Sequence, residues 1–361
     1  MKQKLQDEIT QTLHSAPLVK NLARKKFVAA FILALIQSRK VQFNELAHHL
    51  NDEAKLDSNQ NRIEDFFRDL ELDYVMLATL LLSLLPRTVK LRICLDRTEW
   101  DFGKTQVNIL MVLVGHGDLQ LPLFWTLLDN KSGNSSSQDR IDLLERVFKV
   151  VDKNRVGLVV ADREFVGQKW IKYLKEKGLN FVMRFPKHHL LTDAEAVSWR
   201  IEELALELNQ GYCFTGVLVD GCVGNVWLLR LWETEFLYLF GNLESRLLGQ
   251  LYRKRWSIEV CFQNLKGRGF DLGKTHLLSL SKLSKLVGLV SLGYAFCGSM
   301  GLYLHRKVQP IKIKKHGYKS ASFARHGLNN LRAVLRPQRP KRKTSCHGLF
   351  GLVRSPACFA G

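Results

Sequence analysis

The sequence predicts an α/β fold in which a mixed sheet with helices on its faces follows a helical N-terminal region. Three observations point there. Residues 1–86 carry apolar blocks at helical spacing that stop at Pro86. From Val89 the pattern changes to alternating or continuous apolar runs of strand length, later separated by amphipathic segments. A second set of strand-like runs, between residues 212 and 243, precedes a further long helix and reads as a β-strand insertion.

Within the helical region the segments are 27–36, 43–50, 62–70 and 75–85, with polar links at 38–42 and 51–61. Asn59, Gln60, Asn61 and Arg62 open the third segment, where a recognition helix presents polar side chains to base edges or phosphates. An ordinary solvated helix face has the same composition. Runs 89–96, 107–115 and 119–127 read as three consecutive strands joined by short polar turns. A helix at 139–151, a buried strand at 155–162 (RVGLVVAD), an amphipathic helix at 167–177 and a strand at 180–186 follow. Three meandering strands and then helix-separated strands is the order of a ribonuclease-H-like domain. Strands at 212–219, 225–232 and 235–240 make the insertion, placed at about 198–243, and a long helix starts near Glu244. The expected division is therefore a helical domain at 1–86, the sheet domain at 87–280, and a helical, basic segment at 281–361.

At 361 residues, 46% of them hydrophobic, the chain can bury a sizeable core. Its net charge of +20 is unevenly placed: residues 272–361 hold 17 Lys and Arg and no acid, leaving +3 for residues 1–271. A near-neutral body with a basic C-terminal quarter suits a polyanionic partner, because cations that displace counterions from phosphates supply most non-specific nucleic-acid affinity. Deleting residues 306–361 is accordingly expected to weaken DNA binding. The seven cysteines are scattered and form no CxxC, so neither a disulfide frame nor a zinc site is expected. The start, MKQKLQDEITQ, has no apolar h-region, and a cytoplasmic location follows as the expectation. Residues 286–304 form an uncharged run long enough to span a bilayer, but Gly288, Ser291, Gly293, Gly298, Ser299 and Gly301 favour a tightly packed core helix and no membrane partner.

Asp96 closes VKLRICLD and Asp162 closes VGLVVAD, so each is expected at a strand end facing a crevice, a position that suits a hard cation. In the helix expected after Glu244, Tyr252, Arg255, Glu259 and Lys266 fall in one stripe roughly 60° wide at about 100° per residue. A single Arg255–Glu259 pair at i,i+4 would explain two of the four and contribute only about 0.3–0.5 kcal/mol.

The spacing Tyr, two residues, Arg, three residues, Glu, six residues, Lys resembles the hallmark of the bacterial insertion-sequence DDE transposases, family number four. LDRTEWDFG at 95–103 resembles that family's block around the first catalytic Asp, and VADREF at 160–165 the block around the second. The resemblance spans about residues 90–280. It implies a ribonuclease-H-like core, with Asp96, Asp162 and Glu259 as catalytic ligands of two Mg²⁺ or Mn²⁺ ions, the arrangement that phosphodiester cleavage and strand transfer use. It implies phosphate contacts from Tyr252, Arg255 and Lys266; Arg62, at the polar start of the third helical segment, is expected as a further DNA contact on its own composition. The resemblance also implies a homodimer holding two terminal inverted repeats and target DNA, a hairpin intermediate, and action at the bacterial nucleoid. An inactive or decayed DNA-binding relative and a ribonuclease-H-like nuclease would carry similar residues.

Trp227 and Trp232, in the insertion, are candidates to hold a flipped base. Trp256 is expected to pack against the sheet. GRGFDLGKT at 267–275 imitates a phosphate-binding loop, but Arg268 stands where that motif needs its first Gly, so nucleotide hydrolysis is not expected. The histidine pairs at 48–49 and 188–189 lack ligand spacing with any Cys or acid and read as structural or solvated.

Overall fold

Apolar runs of the N-terminal region fold as five helices in the computed structural model, which describes residues 1–336 apart from 17, 103–104, 129–132, 234 and 316. They are α1 (Lys2–Ser15), α2 (Leu22–Ser38), α3 (Phe43–Leu50), α4 (Leu56–Asp69) and α5 (Tyr74–Ser83). Side-chain caps start two of them: Asn21 accepts from the Arg24 N–H before α2, and Asp73 accepts from the Val75 and Met76 N–H groups before α5. Residues 27–36 of α2 are buried on every side, which is why that stretch is apolar without a helical stripe.

Helix α4 begins at Leu56, six residues before the expected segment, and this changes what Asn59 does. Asn59 is buried, and its Nδ2 donates to the carbonyls of Ala47 (3.0 Å) and Asn51 (2.8 Å), pinning α3 to α4. It is a structural residue, unable to reach a base, whereas Arg62 is exposed on the same helix.

A ten-stranded mixed sheet follows, in the order β3-β2-β1-β4-β5-β10-β9-β8-β6-β7. Strands β1 (Leu91–Phe102), β2 (Thr105–His116) and β3 (Leu119–Leu128) form an antiparallel meander. Strands β4 (Val156–Ala161) and β5 (Phe181–Phe185) run parallel to β1, each reached through a helix: α6 (Ser137–Phe148) and α7 (Gln168–Glu176). Those five strands have the ribonuclease-H-like order. The insertion consists of β6 (Leu191–Thr192), β7 (Ser198–Trp199), β8 (Gly211–Val219), β9 (Cys222–Arg230) and β10 (Phe236–Gly241). It does not stand apart: β10 pairs antiparallel with β5 and continues the central sheet outward.

The helix expected to run unbroken from Glu244 is in fact two. Helix α8 (Ser245–Tyr252) passes through a 3-10 turn (Arg253–Arg255) into α9 (Trp256–Leu265), and Lys266 lies beyond the helix end with ψ −142°. Helix α8 packs on β5, β8, β9 and β10, and α9 on β1 and β3.

Helix α10 (Leu280–Lys307) contains the long apolar run. It is apolar and long enough to cross a membrane, yet 94% of its most apolar window is buried inside the protein, against α2, α5, α9, α11 (Phe323–Leu335) and β3. Its small residues permit this. A Cβ on Gly301 would stand 1.8 Å from the Phe323 carbonyl oxygen, and one on Gly327 of α11 only 1.9 Å from that of Cys297, so the two helices cross backbone to backbone. Seven residues of α11, among them Leu328, Leu331 and Leu335, are buried there. The basic C-terminal quarter is thus not uniformly a DNA arm: α11 belongs to the core, and RPKRK at 339–343 falls outside the described residues except in sequence. The five described cysteines are free thiols.

Candidate active site

Asp96 is not at a strand end. Strand β1 runs six residues further because β2 stays paired with it, Asp96 opposite Met111 and Phe102 opposite Thr105. What ends near Asp96 is its parallel neighbour: Leu95↔Ala161 is the last pair between β1 and β4, and Asp162 follows at once. The two aspartates are therefore the next residues on adjacent strands, where neighbouring backbones are about 4.8 Å apart. The loop that starts at Asp162 is pinned by a hydrogen bond from the Phe165 N–H to the Asp162 carbonyl (2.9 Å). It is pinned again by buried Arg140 of α6, which donates to the carbonyls of Glu164 (2.7 Å) and Val166 (3.0 Å).

Helix α9 is set over β1 by a contact between Cys94 Sγ and Ser257 Oγ at 3.8 Å. The turn between α8 and α9 brings three side chains to the aspartates. The Tyr252 hydroxyl donates to Asp162 Oδ1 (2.9 Å). Arg255 Nη1 donates to Asp96 Oδ2 (2.9 Å) and lies 3.6 Å from Asp162 Oδ2, while its Nη2 donates to Glu259 Oε1. A single guanidinium thus touches all three carboxylates. It is 13% exposed; Asp96, Asp162 and Glu259 are 15%, 26% and 28% exposed.

Electrostatics follow from this burial. Asp96 is pushed up to about 6, because desolvation outweighs the pull of Arg255 and of the Arg97 N–H that donates to it (2.8 Å). The Tyr252 hydroxyl is raised, first by burial and then by Asp162, so it remains a donor. The Arg255 guanidinium is raised despite its burial, because Tyr252, Asp162, Asp96 and Glu259 all favour its charge.

Five of the seven residues expected from sequence meet here: Asp96, Asp162, Glu259, Tyr252 and Arg255. Lys266 does not join them. Beyond the end of α9 its Nζ donates to the Glu99 carbonyl (3.0 Å) and sits over the Trp100 ring at 5.2 Å, further along β1. Burial lowers its pKa. The turn after it is clamped from the N-terminal helices by Arg39, which donates to the carbonyls of Arg268 (2.7 Å) and Gly269 (3.3 Å). Arg62 lies on α4, which packs on α3 and α10 rather than on the strands bearing the aspartates.

The sequence pattern missed a second ion pair at the rim. Arg97 bridges Glu164 (3.1 Å), Glu99 (2.6 Å) and Asn108 (3.1 Å), and burial raises the Glu164 carboxyl. Its only linear trace is a charged residue one or two places after each aspartate. Of the tryptophans, Trp227 is wedged between Gly211 and Gly249, a packing position. Trp232 is 68% exposed. Trp256, expected against the sheet, is 59% exposed, because the 3-10 turn points the first residue of α9 outward. His189 pairs with Asp220 (2.7 Å), a contact between residues 31 apart.

Among solved structures, a cryo-EM structure of a piggyBac transposase synaptic complex with hairpin DNA is similar at 12% identity and TM-score 0.42, covering 98% of this chain and 82% of that one. Endonuclease V from Bacillus subtilis is similar at 10% identity and TM-score 0.24, covering 57% and 84%. No curated protein matches. The family model described as the transposase DDE domain matches residues 88–296, from the start of β1 into α10, with all three carboxylates inside it. Spanning more than half of the sequence, that match means that the chain belongs to the transposase DDE-domain family.

Proposed function

We propose that this DNA transposase belongs to insertion-sequence family number four and that Asp96, Asp162 and Glu259 are its catalytic carboxylates. The observation that carries the proposal is their convergence on one half-buried cation from three separate elements: β1, the end of β4, and α9. DDE transposase domains generally use divalent metal ions. The donor set fits such an ion, being three carboxylates with oxygen donors only, which favours Mg²⁺ or Mn²⁺ over zinc. Two ions held by these three residues would supply the activated attacking oxygen and stabilise the leaving oxygen.

The chain's own residues have separable tasks in this scheme. Asp96 and Asp162 are held by sheet register, so their spacing costs no reorganisation on binding. The Tyr252 hydroxyl occupies one Asp162 oxygen and orients the other inward. Arg255 is suited to a phosphate, since its planar fork grips a bridging anion at two points. Lys266, held beside Trp100, would contact the strand further along β1. Arg62 and the exposed face of α4 would contact DNA away from the reacting bond, and Trp232 and Trp256 are exposed surfaces on which a base could stack.

We assign end binding to residues 1–86, chemistry to 87–280, and subunit and DNA contacts to 281–361. A homodimer would join two inverted-repeat ends and target DNA, with a hairpin step, at the bacterial nucleoid in the cytoplasm. The test incubates purified protein with Mg²⁺ or Mn²⁺ and a labelled fragment carrying the inverted repeats that bracket the gene. Asp96→Ala, Asp162→Ala and Glu259→Ala should each lose nicking while retaining end binding. Metal-dependent nicking by any one of them excludes that residue from the triad.

A further inference from the structure

The three carboxylates are satisfied by a guanidinium, and among the described residues no three His, Cys, Asp or Glu side chains are gathered closely enough to ligate one ion as they stand. We propose that Arg255 is a built-in counter-cation that competes with divalent metal for Asp96, Asp162 and Glu259, so that metal entry and release of Arg255 toward DNA phosphate are one exchange. This rests on the reading of the carboxylates as a metal centre and adds how that centre is kept in register and when it opens.

Geometry carries the inference. Arg255 reaches Asp96 at 2.9 Å and Asp162 at 3.6 Å through Nη1, and Glu259 through Nη2, so its terminal nitrogens hold oxygens from all three ligands at once. A divalent ion seated between the three acids needs their oxygens at about 2.0–2.1 Å for Mg²⁺, and the guanidinium now fills that place, holding one oxygen of each. Nor can Arg255 yield by losing its proton, because guanidinium is permanently charged in proteins. It has to move. Its position in the 3-10 turn between α8 and α9, at the foot of a long side chain, permits that without breaking either helix.

Without Arg255 three half-buried acids would stand together with no cation among them. Arg255 thus holds the ligands in place before the metal arrives. Once displaced, it is a charged, two-pronged donor beside the place where the scissile phosphate must lie.

The test is Mn²⁺ titration by calorimetry on the full chain, with melting curves in EDTA and in Mn²⁺, for wild type, Arg255→Gln, Arg255→Lys and Lys266→Gln. Arg255→Gln should bind Mn²⁺ about tenfold or more tightly than wild type, melt lower in EDTA, and gain more from Mn²⁺. Lys266→Gln, which removes a nearby charge that touches none of the three carboxylates, should change affinity less than about threefold. Arg255→Lys keeps the charge but cannot span three acids; it should also bind more tightly than wild type, and it decides the matter if the Gln variant fails to fold. Unchanged or weaker binding by a folded Arg255 variant overturns the exchange, as does an equal gain from Lys266→Gln. If neither wild type nor the Arg255 variants bind Mn²⁺ at all, the metal-centre reading itself is wrong.

Discussion

Replacing Asp96 by Asn should stabilise the metal-free protein while abolishing its chemistry. Asp96 is 15% exposed, and burial, only partly offset by Arg255 and the Arg97 N–H, pushes its carboxyl from 3.8 up to about 6. With the folded value above the unfolded one, the native state holds the extra proton between the two. Stability therefore falls as pH rises through that window and is lowest above it. At 1.36 kcal/mol per pH unit, the cost of the charge at pH 7.5 is about 3 kcal/mol. At pH 4 it is only about 0.6 kcal/mol, since the folded carboxyl is then protonated. Asn preserves the shape and one acceptor for Arg255 without the charge. In EDTA at pH 7.5, Asp96→Asn should gain up to about 3 kcal/mol in urea melts. The melting temperature should rise by about 4 °C, at roughly 2.1 cal/mol/K per residue for this chain length. At pH 4 the difference should nearly vanish. A variant less stable than wild type at pH 7.5, or one with the same advantage at both pH values, would refute the burial argument.

The other outcomes concern packing and DNA contact. Gly301→Leu should cost more than about 3 kcal/mol or prevent folding, because the added carbon falls 1.8 Å from the Phe323 carbonyl at the α10–α11 crossing; a normal melt would mean that the helices are further apart. On α4, Asn59→Ala should lose about 1–3 kcal/mol through its two buried hydrogen bonds. Arg62→Ala should leave the melt within about 0.5 kcal/mol and instead lower the salt slope of DNA binding by about 1. Truncation after Arg336 spares α11 and removes five Lys and Arg. The slope of log K against log salt should then flatten by at most about 4.5, and no change would place that segment off the DNA.

Element order and the three motif blocks were legible because they rest on local periodicity and on spacing along the chain. Alternating or continuous apolar runs marked β1 to β5, and the runs at 212–240 marked β8 to β10 without indicating their partners. Where periodicity had to stand in for three dimensions, it misled. A uniform helix from Glu244 gave one stripe for four residues, but the 3-10 turn at 253–255 interrupts it, with Trp256 exposed, and α9 ends at Leu265, so that Lys266 leaves the stripe for the Glu99 carbonyl. Asn59 looked like a reader of DNA because its burial depends on Ala47 and Asn51, carbonyls supplied by another helix and its loop.

By itself, then, the sequence determined the class of fold, since strand and helix patterns are written in neighbouring residues, and its three motif blocks offered the grouping of the acids only through their resemblance to a known family. Only tertiary structure decided that Asp96 and Asp162 are side by side, because that depends on where β4 stops along β1. It also decided that α10 is core, by surrounding an apolar helix with protein on all sides. Above all, it decided that one guanidinium serves all three carboxylates: its contact with Glu259, four positions away, shows in the local i,i+4 spacing, but those with Asp96 and Asp162 join residues 159 and 93 positions apart and leave no trace in any local pattern.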